Sequence, residues 1–176
     1  MLFSDRSISA MVHGILLGGG TLLTLAAALF SLCVMPAAQE PEAARRQARP
    51  LSLLLLAVAI LAWLAVLGGT FIVFPPYRVT PPEGVADLSQ YPRALLLKSP
   101  ETAWLHRFAM EIKEHVPWIA AMLATAAAFV GMRYRSKLLA DPQLRGMVTA
   151  LTAICFALVA SVALLGVFVN KVAPLE

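Results

Sequence analysis

Five side chains carry most of the chemistry this sequence offers: His13, His106, His115, Glu111 and Glu114. His13 opens a long apolar run, and the other four lie in a charged stretch, with Arg107 and Lys113, that leads directly into another. A titratable group in a segment long enough to cross a bilayer is costly, so it is a functional candidate by default. Two imidazoles facing each other from two helices can hold a b-type haem through its iron. At about 1.5 Å per helical residue, His13 and His115 stand roughly 33 and 26 Å above the far ends of their apolar runs. His106 stands roughly 39 Å above. His13 and His115 are therefore the expected haem-iron ligands, and His106 is the second candidate on its helix.

Glu111 or Glu114 is expected to hold the free ring nitrogen of a ligating histidine, the usual way such a ring is oriented. The same Glu/His cluster would also suit a quinone head group or the passage of protons. Arg107, Glu111 and His115 are spaced four apart and share one helical face. The ordinary role of such a face is a wet surface laced with weak ion pairs, and the ordinary role of an interfacial histidine is to reach its ring to water. Met110, four residues after His106, is expected to pack. Glu111 and His115 resemble one half of a di-metal site, but the other half is missing.

The elements that would position these residues are membrane helices. Of 176 residues, 60% are hydrophobic and 14% charged, where a soluble domain averages about a quarter charged. The apolar residues form four blocks, at about 8–35, 51–74, 116–132 and 146–169. Each suffices for roughly 30 Å of hydrocarbon. The first block is too long for the core of a signal peptide and is read as a span. It contains Gly14 and Gly18, a spacing that lets helices approach closely in lipid. A helical lead-in from 101 precedes the third block, and Pro117 sits at their junction, where it would either kink the helix or divide it.

Residues 75–102 form a loop with six prolines, expected to cap one end of the bundle, with Tyr77, Tyr91 and Trp104 in the interface belt. A polar loop is expected at 39–50. Cys33 and Cys155 lie in apolar blocks without metal or redox spacing and are assigned to packing. The expected fold is an all-α integral membrane protein, a four-transmembrane-helix bundle forming one domain over 1–176.

Basic residues divide equally between the two ends, but those near 39–50 and 133–145 are packed into short loops. That density places the termini and the proline-rich loop on the outer side, the periplasm if this is a bacterial inner membrane. The sequence lacks a phosphate loop, a Ser/His/Asp set, CxxCH and a basic run, so neither catalysis by the chain alone nor nucleic-acid binding is expected. The architecture resembles that of small membrane cytochromes b, in architecture alone. Two functions follow as expectations. One is an electron-transfer subunit of a respiratory or photosynthetic complex, holding haem b near the outer face. The other is a cofactor-free accessory subunit that stabilises a larger membrane complex. The expected partners in either case are other membrane subunits and lipids.

Overall fold

The computed structural model describes residues 4–36 and 41–174, apart from the side chains of Pro41, Ala44, Arg45 and Ser136. Residues 37–40, which include the first two of the expected polar loop, and the last two of the tail lie outside it. Among the described residues the chain is all-helical. Four helices are long and apolar enough to cross a membrane: Asp5–Val34, Arg46–Tyr77, Pro100–Arg133 and Pro142–Val172. Each pairs with its neighbours in sequence and the first also packs on the fourth, so the four stand at the corners of a square.

The boundaries differ from the sequence reading in three places. The polar 39–50 stretch is not a loop from Pro41 onward: a helix runs Pro41–Gly68, through Pro50. The second long helix continues past Pro75 and Pro76 to Tyr77, because prolines are tolerated in the first turn of the short helix Phe74–Tyr77. The third is unbroken from Pro100 to Arg133, with Pro117 inside it. Proline there removes one donor, leaving the Lys113 carbonyl without its helical partner. At Asp141–Pro142 the expected turn is present, and the Asp141 carboxylate accepts from the N–H groups of Gln143 and Leu144. The expected cap narrows to residues 78–91 and the short helix Pro92–Leu97. Within it the Ser89 N–H donates to Asp87, which holds that carboxyl below its ordinary range.

The core follows from residue size. On the third helix Ala120, Ala121, Ala124, Ala127, Ala128 and Gly131 are buried at helical spacing. On the second, Leu51, Leu55, Val58, Ala59 and Ala62 join them in one buried cluster, with Ser52 buried beside Gly131. Small side chains let the two backbones close up, which is how helices gain packing energy where lipid is as apolar as leucine. The Ser52 hydroxyl donates to the Gly131 carbonyl at 2.7 Å. Trp63 donates to the Thr125 hydroxyl at 2.9 Å and meets Trp118 edge to face. At the opposite end from the cap, Arg145 Nε donates to the Leu32 carbonyl at 2.6 Å, tying the fourth helix to a free carbonyl near the end of the first. The buried hydroxyls of Thr21 and Thr152 each donate to the carbonyl four residues back, and the single proton of Ser52 is shared between the carbonyls of Gly131 and Ala48, so the apolar interior holds no orphan hydroxyl among these three.

A side chain at Gly131 would place its Cβ 2.8 Å from Leu55 Cδ1. Gly131→Leu is expected to destabilise the protein by about 1–3 kcal/mol, as overpacking does. Gly146 has open space around it, and Gly146→Ala should hold or raise stability, by at most about 1 kcal/mol. Unfolding of both variants in one detergent checks the contrast.

Candidate functional site

Three stretches of the long helices loosen into wider π-helical turns: Val12–Gly19, Gly69–Val73 and Leu105–Met110. All three lie at the capped end of the bundle. Such turns are rare and recur at functional sites, because the widened backbone re-aims side chains. Here the first carries His13, the second Gly69 and the third His106.

His13 turns inward. Its ring rests on the backbone of Gly69, where an added Cβ would stand 2.7 Å from Cε1 and 3.2 Å from Nε2. Its Nδ1 is buried without a hydrogen-bond partner among the described residues. Lys113 turns inward from the diagonally opposite helix. Its ammonium rests on Gly166 of the fourth helix, where an added Cβ would stand 2.8 Å from Nζ. Two glycines, one on each remaining helix, thus each make room for one polar head group at the capped end.

A second polar group sits beneath the cap. The Tyr77 hydroxyl and His106 Nδ1 are joined by a hydrogen bond of 2.7 Å, with the two rings 5.9 Å apart. Tyr77 is buried among Leu96, Leu105, Met110, Val169 and Ala173. Met110 packs in that cluster.

His115 faces the other way. Its side chain is 71% exposed, and its Nδ1–H donates to the Glu111 carbonyl at 2.8 Å. The Glu111 carboxylate stands 3.9 Å from the same nitrogen and is itself exposed. Of the five expected site residues, the structure pairs Glu111 with His115 on the outer face and leaves Glu114 half-buried, without an ion pair among the described residues. His13 is joined by neither His106 nor His115 as a close partner. Between the first and second helices, one turn beyond His13, a groove of about 130 Å³ is lined by Asp5, Arg6, Ser9, Ile72, Val73 and Pro76. That is below the roughly 300–1,000 Å³ of ordinary small-molecule sites. No cluster of three or more His, Cys, Asp or Glu side chains suited to a metal ion occurs among the described residues.

Lys113, Gly69 and Gly166 were not chosen as site residues from the sequence, and Tyr77, expected in the interface belt, is instead buried against the helices beneath the cap. For Lys113 the signal was present. It falls in the stripe Ala109, Met110, Lys113, Pro117, Ala120, Ala121, Ala124, and it lies about 200° around the helix from Glu111. If Glu111 and His115 face out, Lys113 faces in. No known protein-family model matches the chain, and no curated protein or solved structure is significantly similar to it.

Crowding the Gly69 seat tests the inward placement of His13. Gly69→Ala is expected to cost about 1–3 kcal/mol, and adding His13→Ala to recover part of that loss, since contacting residues couple. Gly68→Ala, whose Cβ would meet Leu17 at an ordinary 3.6 Å, should show no such coupling to His13→Ala. Unfolding midpoints of the single and double variants give the coupling directly.

Proposed function

We propose that this chain is an integral membrane subunit of a larger complex, a four-span bundle that stabilises its assembly without a cofactor of its own. One observation carries the reading. From Asp5 to Gly19 the first helix fully buries no residue, His13 being half-buried, whereas its other half buries Thr21, Leu25, Ala28 and Leu32. Within this half, Gly14 has no heavy atom within 4 Å of where a Cβ would stand. A glycine on an open helix face in lipid suits the close approach of a second helix, and a span from a partner subunit is the occupant we assign to it. The dense arginines near 39–50 and 133–145 put that end on the cytoplasmic side, with the cap and the polar cluster outside.

The electron-transfer reading, in a respiratory or photosynthetic complex, keeps one specific support: the buried, unpartnered Nδ1 of His13. A haem b between His13 and His115 would require His115 to leave its Glu111 contact and turn inward. A haem on His115 as it stands would lie on the outer face, against a partner. A reduced-minus-oxidised spectrum with a b-type band lost in His13→Ala would favour this second reading.

For the subunit reading, Gly14→Leu is the decisive variant, because open space at Gly14 leaves the chain's own packing untouched. The variant is expected to fold like the parent and to drop out of the native membrane complex on a native gel. If Gly14→Leu co-migrates with the complex as the parent does, the reading fails.

A further inference from the structure

We propose that the end of the bundle away from the cap binds an acidic phospholipid, its phosphate on Arg135 and an acyl chain along Met132 and Phe129. The basic residues of this end come from two helices that packing brings to one level. The Ser52 hydroxyl meets the Gly131 carbonyl at 2.7 Å. Counting away from the cap from that contact, Arg49 on the second long helix lies about 4.5 Å further along and Arg133 on the third about 3 Å. The short helix Arg135–Leu138 packs against the second long helix, and Leu138 and Leu139 are buried in one cluster with Ala48 and Leu51. At this end Arg46, Arg49, Arg133 and Lys137 are exposed, and Arg135 is half-buried.

Little acid offsets these charges. Among the described residues the carboxylates at this end are Glu42, which stands 3.8 Å from Arg46, and Asp141, which caps the fourth helix. Arg145 is tied by its Nε to the Leu32 carbonyl. Arg135 stands apart from both arrangements. It forms no ion pair within 4 Å among the described residues, and its Nε is buried without a hydrogen-bond partner among them. Its Nη2 donates to Met132 Sδ at 3.4 Å, and a thioether is a weak acceptor. Nε and Nη2 form the edge of the guanidinium that receives two phosphate oxygens side by side. That edge now meets a sulfur, which a phosphate oxygen would outcompete.

The surroundings select a lipid over free phosphate. The third membrane-spanning helix ends at Arg133, so Arg135 lies at the depth of head groups. Met132, the residue that Arg135 touches, is 40% exposed, and Phe129, three residues earlier on the same helical face, is 62% exposed. A cation above an exposed apolar strip matches a phosphate above an acyl chain. The Arg133 guanidinium lies 5.6 Å from the centre of the Tyr134 ring, and tyrosine is a common anchor at this boundary. A choline head group would bring its own cation against these arginines, so the lipid is acidic.

The proposal does not depend on the subunit reading, and its test uses the full chain purified without partners. In neutral detergent the protein is titrated with phosphatidylglycerol or with phosphatidylcholine of the same acyl chains, and native mass spectrometry reads the fraction that retains one lipid. Phosphatidylglycerol is expected to bind about tenfold or more tightly than phosphatidylcholine. Arg135→Gln should abolish that preference, with a lipid-free unfolding midpoint near the parent's because no ion pair is lost. Arg133→Gln, a change to an exposed side chain of the folded protein, should weaken it in the same direction. Lys98→Gln, which removes an exposed cation in the cap, should leave it intact, and excess inorganic phosphate should not displace the lipid. Equal retention of the two lipids overturns the proposal, as does an Arg135→Gln preference equal to the parent's or an equal loss in Lys98→Gln. Displacement by inorganic phosphate overturns the lipid as the ligand and assigns the site to free phosphate.

Discussion

The close approach of the second and third long helices is the constraint on which the remaining packing depends. Alanine and glycine line the third helix where it meets Leu51, Ser52 and Leu55. With the backbones this near, a serine hydroxyl reaches a main-chain carbonyl across the interface and Leu55 fills the space over Gly131. That contact fixes the register of the pair, and with it the face that each helix turns inward. Once Ala120, Ala121 and Ala124 point in, Lys113 two turns earlier points in as well. Glu111 and His115 are then committed to the outside.

The two ends of the bundle are built differently. Away from the cap, the helices close on leucine, valine and alanine, and Arg145 ties the fourth to the first. At the capped end the helices loosen into π turns, side chains become polar and glycines open seats for them. A bundle held by a tight seam along its middle tolerates such an end.

Much of the fold was legible in the sequence. Apolar block length gave four long helices, and Asp141–Pro142 marked the final turn. Two boundaries were misplaced because proline was read as a stop. Pro50 lies inside a helix whose packing outweighs one lost hydrogen bond, and Pro75 and Pro76 fall where a first turn accepts them, while at Pro117 the sequence left a kinked or a divided helix open and the helix runs through. The candidate site was less legible. Histidines and glutamates were chosen by residue type and depth along the helix, which leave the direction around the axis open. Rotation about the axis is what sets His115 outside and Lys113 inside. The π turns, which further shift that rotation at His13 and His106, have no simple sequence signature.

That rotation is also the most direct point of test. Carbethoxylation of the purified chain's histidines, followed residue by residue with mass spectrometry, reports which rings are accessible. The account predicts rapid modification of His115 and protection of His13. Modification of His13 as fast as His115, or protection of both as ligands of one buried group, would contradict it.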